Sequence, residues 1–396
     1  MTDRRAAITG IGVITPIGTG LAEFARGLRE GRSGIGDITN FDAERLPVRR
    51  AAEARDFDLA RHISSMKTYL DRASAFSLAA ASMALRQAAW PKDGVDAGLC
   101  LGSAWGCQDT IELYTRKLVE SDPKFAPPLV FTHSYANAPN SLVAIEFALR
   151  GHNACFAGGA GAGADALQHA LDMVRAGQSR RLLAGGVDVV SEIALRAMIA
   201  DGLASVSGVG RPFDPAADGL VPGEGAGLLA LESPQSAACR NAAVLGYLLG
   251  AGSAAAPDPE AAVAGAVAAA LADAGVDAGE IGLILASACG IPRLDAAEAA
   301  AIARLFPARP PVAALKSLLG DPLGAWAPVA VAAAVASAEA ALPPAACPSV
   351  GGPPPGGIDL LREPLPPGAR TCLILNVAPS GTAAAIVAAV NAHPVA

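Results

Sequence analysis

Apolar residues run almost without interruption from Ala6 to Val13 and stop at Thr15-Pro16. A continuous run of this length that ends at a proline turn predicts a strand buried on both faces. The pattern then changes to helical spacing over Leu21–Glu30 and again over the long stretch Tyr69–Ala89. Gly98–Gly102 predicts a second buried strand. Leu129–Asn140, with its prolines and asparagines, predicts a loop leading into a helix at Ser141–Leu149. A short strand follows at Asn153–Ala157, then a glycine-rich turn that opens a helix over Asp165–Gly177, then a strand at Arg181–Gly185.

The remainder has the same style. It predicts strand Ala243–Leu249, helix Pro259–Ala274, strand Ile281–Ser287, helix Ala296–Phe306, a short apolar run Val312–Leu315, an Ala-rich helix and a closing strand Thr371–Val377. Pro353–Pro355 and Pro364–Pro367 read as loops. Strands alternating with helices predict an α/β fold with a sheet covered on both faces. The similar order of elements divides the chain near Pro234, into residues 1–234 and 235–396, as an internal pseudo-duplication.

Composition narrows the function. Of 396 residues, 52% are hydrophobic and 17% charged, a balance suited to a large buried core and to a subunit interface rather than to disorder. The net charge of −7 argues against nucleic-acid binding. The Ala-rich runs Ala261–Ala272 and Ala327–Ala341 lack the bulk of membrane spans and are expected to be buried core helices. The start, Met1-Thr2-Asp3-Arg4-Arg5, leads directly into the first strand, so no cleavable leader is expected. The seven cysteines (100, 107, 155, 239, 289, 347 and 372) are scattered without a C-x-x-C pair. That spacing suggests neither a zinc motif nor a disulfide framework; a reducing cytoplasm is expected, with no metal or cofactor.

Several segments carry one resemblance. Ala6–Gly18 (AAITGIGVITPIG), Arg211–Glu232 (RPFDPAADGLVPGEGAGLLALE), Leu149-Arg150-Gly151, Ala184-Gly185-Gly186, and Lys316-Ser317 with Gly320 all resemble β-ketoacyl-ACP synthases, and the similarity runs from Ile8 to about Val387. The resemblance implies a thiolase fold, a pseudo-duplicated α-β-α-β-α architecture of five layers, assembled as a dimer. It also implies a chemistry. A cysteine thiolate at a helix start takes the acyl chain from an acyl carrier protein. Two histidines then stabilise the charge that develops as malonyl-ACP is decarboxylated and the carbanion attacks.

This chain departs from that pattern at each position. In the family the nucleophile lies nine residues after the Arg-Gly border and twenty-four before the Ala-Gly border; here both counts reach Ala160. Cys155, in Asn153-Ala154-Cys155, is the rival, but it falls five residues early, inside the predicted strand. The first histidine's segment matches Ser287–Glu298, where Cys289 stands in its place. The second should lie five residues after Lys316, which is Asp321. The five histidines, at 62, 133, 152, 169 and 393, fall at neither position. The family's glycine-alternating gating loop is replaced by Asn376-Val377-Ala378-Pro379-Ser380-Gly381-Thr382.

The pattern of loss resembles the chain-length factors of type II polyketide systems. It implies a catalytically silent subunit that partners a Cys-bearing ketosynthase as a heterodimer and acts on chains held by an acyl carrier protein. In such pairs the acyl tunnel crosses the interface. The stretch expected there is Trp105–Tyr114, with Cys107, Thr110, Ile111 and Tyr114 on one helical face, together with Phe131, Thr132 and His133 from the following loop. Ordinary interface packing is the alternative for each of these residues. Lys316 is expected either as an active-site remnant or as a partner of Asp321. Glu224 and Asp214 are expected as structural hydrogen-bonding groups, and Arg45, Arg49, Arg50 and Arg61 either as an attraction for an acidic carrier protein or as solvated charge. Three other readings stay open: a decarboxylase making a starter unit from malonyl-ACP, a hydrolase or acyltransferase using Cys155 or Cys289, and a homodimeric scaffold. The first of these needs the two histidines.

Overall fold

The computed structural model describes residues 4–90, 97–344, 355–368 and 370–390. Cys347 and Pro353-Pro354 lie outside the described residues. Five strands form the sheet of the N-terminal half: β1 (Ala6–Thr15), β2 (Ala97–Gly102), β3 (Asn153–Phe156), β4 (Arg181–Asp188) and β5 (Gly225–Glu232). They lie in the order β3-β2-β4-β5-β1. β2 is parallel to β3 and β4, whereas β5 is antiparallel to β4 and β1. In the C-terminal half, β6 (Gly246–Ala255), β7 (Ile281–Leu285), β8 (Pro311–Ala313), β9 (Arg370–Val377) and β10 (Thr382–Val390) lie in the order β8-β7-β9-β10-β6. The pairing senses repeat those of the first half. β1 and β6 pair antiparallel at Ala6–Ile8 and Gly246–Leu248, so one sheet runs through both halves.

Helices complete five layers. α1 (Arg72–Ala88) packs on the outer face of the N-terminal sheet, and α2 (Gln108–Glu120) follows β2. α3 (Ala162–Arg175) and α6 (Trp326–Ala336) fill the space between the two halves of the sheet. α4 (Pro259–Ala274) and α5 (Pro292–Leu305) cover the opposite face of the C-terminal half. This is the expected layered α/β architecture.

Local chemistry explains where element ends differ from the pattern. α1 begins at Arg72, because Asp71 caps it by accepting the Ala73 N–H at 2.9 Å and Tyr69 has a left-handed φ of 56°. α5 begins at Pro292, four residues before the expected Ala296, since a proline in the first turn costs no helical hydrogen bond. The stretch expected as a loop, Leu129–Asn140, instead contains a helical turn at Pro128–Thr132 and the start of a helix at Ala138–Glu146, each with proline in its first turn. β5 and β10 escape an apolar-run reading: β5 is rich in glycine, alanine and leucine and β10 in alanine, whose hydropathy and bulk separate strand from helix poorly.

The two Ala-rich helices also diverge. Every residue of α6 is buried, as expected of a core helix. In α4 only Ala262, Val263, Ala266, Val267 and Ala270 are buried, with Leu271 and Ala274 partly buried against the same core, so it is a surface helix with one packed stripe. The core position demands small residues. A Cβ added at Gly163 of α3 or at Gly186 of β4 would lie 2.0 or 2.1 Å from the carbonyl oxygen of Gly324, just before α6. Gly163→Ala is therefore expected to destabilise the protein by about 1–3 kcal/mol in urea denaturation, whereas Gly279→Ala, with open space around it, stays within about 0.5 kcal/mol of the parent.

Candidate functional site

Ala160 lies in a single helical turn, Gly159–Gly161, that leads into α3; Gly159 has φ +76°, which makes the sharp entry possible. The turn packs against Leu323–Ala325 and against the ends of β9 and β10. A cavity of about 330 Å³ opens beside it, lined by Gly158, Gly161, Asp165, Ser253, Asn376 and Thr382. Asp165 places its carboxyl in the first turn of α3, where it offsets the helix dipole, and burial pushes its pKa up. The helix start that would favour an oxyanion is thus met by the chain's own acid. Cys155 is elsewhere: it lies in β3, opposite Leu101 of β2, with its sulfur 3.5 Å from the Ala136 carbonyl. Burial pushes its thiol up.

The two histidine positions meet around a buried charge pair. Lys316 Nζ is 3.0 Å from Asp321 Oδ1, with side chains only 3% and 6% exposed, and the ammonium lies 5.0 Å from the centroid of the buried Trp326 ring. Desolvation opposes the charge on Lys316, but Asp321 and its neighbours outweigh it and raise the pKa. Asp321 Oδ1 also accepts the Leu323 N–H at 3.0 Å. Cys289 is buried within the electrostatic reach of Asp295, Asp321 and Lys316, and desolvation followed by the two carboxylates holds its thiol well above the usual range. A protonated thiol beside a neutralised lysine is a poor nucleophile.

Two carboxyls that the sequence reading did not single out organise this region. Asp295 Oδ1 accepts the Cys289 N–H, and its Oδ2 accepts those of Gly290 and Phe213, at 2.8–3.0 Å. This ties the Cys289 loop to the Arg211–Glu232 segment, where Phe213 has a left-handed φ of 62°. Glu298 is fully buried and accepts the Ser287 N–H at 2.7 Å; desolvation first, then Asp295, push its pKa up to about 8 despite Lys316. The only local signal for these acids was an amphipathic helix carrying carboxyls on its buried face.

The loop at Asn376–Thr382 is a closed hairpin. Val377 pairs with Ala383 across it, the Val377 N–H donates to Ser287 Oγ at 2.8 Å, and Arg293 donates to the Pro379 carbonyl at 3.3 Å.

The full chain was then compared with known proteins. The N-terminal domain of β-ketoacyl synthases matches residues 3–237 and the C-terminal domain matches residues 242–347. The chain belongs to the β-ketoacyl synthase family. Relatives include the 3-oxoacyl-[acyl-carrier-protein] synthase 2 of Synechocystis, 31% identical over 86% of this chain and 87% of the relative. The actinorhodin polyketide putative beta-ketoacyl synthase 2 of Streptomyces coelicolor is 32% identical over 93% and 94%. The tetracenomycin polyketide synthase ketoacyl synthase beta subunit of Streptomyces glaucescens is 32% identical over 96% and 97%. Among solved structures, the ishigamide ketosynthase/chain length factor superposes with a TM-score of 0.91 at 30% identity, over 98% of this chain and 99% of that one.

Within this family member, the stretch expected at a tunnel divides. Cys107 caps α2 and Thr110 donates to Asp71 Oδ2 at 2.8 Å; both are buried. Beyond that first turn α2 projects past the core, so Ile111 is exposed and Tyr114 packs on Phe131, which packs on Tyr135, at ring separations of 5.2 and 5.0 Å. Trp105 turns back towards the interior: its backbone N–H donates to Asp188, and its ring packs against the core of the C-terminal half. Thr132 is exposed and bonds the Leu129 carbonyl, while His133 ends the Pro128–Thr132 turn, half-buried. One helical face is therefore shared between the interior and an open surface.

Glu224 accepts from the Ala54 N–H and the Arg72 guanidinium, and Asp214 accepts the Ala216 N–H, which gives both structural partners. Arg50 donates to the carbonyls of Ile35 and Gly208, Arg49 donates to the Leu46 carbonyl, and Arg61, largely exposed, pairs with Asp58; Arg45 is exposed.

Glu298 yields a prediction with a defined sign. Its carboxyl stays protonated in the folded chain to about pH 8 but has an ordinary value of 4.5. Between these values the native state holds the extra proton, so stability falls as pH rises. Asp188 and Asp295, both pushed up to about 6 mainly by burial, titrate below the upper part of this window. Between pH 6 and 8, Glu298→Gln keeps the acceptor for Ser287 and is expected to remove a slope of up to about 1.4 kcal/mol per pH unit in urea denaturation. Parallel pH profiles for parent and variant would contradict this role.

Proposed function

We propose that this chain is the non-condensing, chain-length-factor subunit of a type II polyketide ketosynthase pair. The observation that carries the reading is the replaced catalytic set. Ala160 stands at the helix start, Cys289 is a buried protonated thiol, and Asp321 is committed to Lys316. Alanine has no nucleophilic atom, and an anionic side chain opposes the enolate that decarboxylation generates. Decarboxylation of malonyl-ACP to a starter unit finds no support here, because it draws on the same two histidine positions.

The surface supports a partnered subunit. α2 buries a single residue, Thr110, while Ile111, Leu113, Leu118 and Val119 are exposed alongside Phe125, Leu129, Phe131 and Tyr135. β3 is the open edge of the N-terminal sheet. Exposed apolar side chains together with a strand edge left open among the described residues call for a covering chain. An intact ketosynthase is the partner that supplies the missing Cys-His-His, and the ishigamide ketosynthase/chain length factor gives the precedent for such a pairing.

Co-expression with an intact ketosynthase encoded beside it, followed by native mass spectrometry with acyl-ACP, tests the reading. The expected outcome is a one-to-one heterodimer with acyl groups only on the partner. A homodimer that ignores the partner, or acylation of this chain, would overturn it. Within the heterodimer, replacing Trp105 or Tyr114 by a smaller side chain is expected to lengthen the product by deepening the tunnel. An unchanged product profile for both variants would remove these residues from the length-setting role.

A further inference from the structure

A second group of chemistry-bearing side chains lies away from the acyl site. Cys100 is the middle of β2, pairing with both Ala154 and Ala184, and it is fully buried against α3. His169 sits on α3, two turns beyond Ala162 at the helix start. His152 precedes β3. Its carbonyl accepts the Leu99 N–H at 2.8 Å, an approach allowed by Gly98, where a Cβ would stand 2.0 Å from that oxygen. All three residues are thus held by rigid backbone.

Their reactive atoms converge. His152 Nε2 and His169 Nε2 are 2.8 Å apart, and one ring nitrogen of each histidine and Cys100 Sγ lie within 4.8 Å of one another. The His169 ring is further fixed by Phe156, at 5.4 Å between centroids. In tetrahedral zinc coordination, with metal–nitrogen bonds of about 2.0–2.1 Å, two imidazole nitrogens stand about 3.3 Å apart. The imidazole pair reaches that separation by opening roughly 0.5 Å, within the range of a small ring rotation.

We propose that Cys100, His152 and His169 bind a zinc-class divalent cation, with the fourth position open to water. A sulfur and two imidazoles select a borderline-soft transition metal over magnesium or calcium. On binding, Cys100 gives up its thiol proton to solvent and coordinates as the thiolate. The ring that carries its proton on Nε2 moves it to Nδ1, so both Nε2 lone pairs face the ion. The ion joins β2, the start of the edge strand β3 and the central helix α3. Its role is to pin the open sheet edge to the core, separate from the acyl chemistry. Spacing along the chain gave no sign of such a site, because the ligands come from three elements.

The test uses the untagged full chain. After loading with zinc and dialysis into metal-free buffer, elemental mass spectrometry is expected to find one zinc per chain, and thermal denaturation to show a higher Tm with zinc than without. Cobalt(II) in place of zinc is expected to give a thiolate-to-metal absorption band. His169→Ala is expected to lose the ion, Cys100→Ser to lose the thiolate band, and His62→Ala to keep both. Absence of retained zinc in the parent, retention by His169→Ala equal to the parent's, or a cobalt spectrum without a thiolate band would each overturn the site. The parent's cobalt spectrum decides even where a variant fails to fold.

Discussion

The structure depends on a backbone-to-backbone contact at its centre. The Gly324 carbonyl comes so close to Gly163 and Gly186 that neither position can carry a side chain, and Gly227 of β5 is pressed in the same way against Pro328. Two helices can lie between two layers of one sheet only if small residues let them approach, which is why α6 is built from alanine and valine with a single tryptophan and a single proline. The Trp326 indole N–H is satisfied by the Leu375 carbonyl at 2.8 Å, so this large side chain is buried without an orphaned donor.

That contact also sets the site. It brings the turn before α3, the turn before α6 and the ends of β9 and β10 to one place, which is where a ketosynthase does its chemistry. In this chain that place holds Ala160. Asp188 accepts from Ser103, Ala104, Trp105 and Gly324 and still locks the β2 loop to the α6 turn. The charge of Lys316 is retained but consumed by Asp321. A buried ion pair of this kind contributes little net stability, yet removing either partner leaves an uncompensated charge, at a cost of about 3–5 kcal/mol. A single substitution at either position is therefore costly.

The hairpin between β9 and β10 is held by hydrogen bonds to Ser287 and Arg293, beside the pocket at Ala160. The outer surface is different: there α2 presents apolar side chains, and β3 forms the open edge of the N-terminal sheet among the described residues.

The sequence by itself determined the layered α/β fold, and its spacing singled out Ala160, Cys289 and Asp321 for comparison with the family's catalytic positions. Fixed spacing between Gly151, Ala184 and Lys316 is enough to place Ala160 and Asp321 when the intervening elements keep their lengths. Other features were decided by tertiary structure. The Lys316–Asp321 bond needs two side chains to turn towards each other, and the role of Asp295 needs three N–H groups from distant loops to converge. The division of the α2 stripe depends on where the core stops beneath a regular helix. Alanine periodicity could not separate the buried α6 from the half-exposed α4, because alanine is compatible with either environment. Cys100, His152 and His169 are dispersed along the chain and meet only because β2, β3 and α3 pack in one register. Local spacing encodes contacts within an element, whereas contacts between elements are fixed by packing.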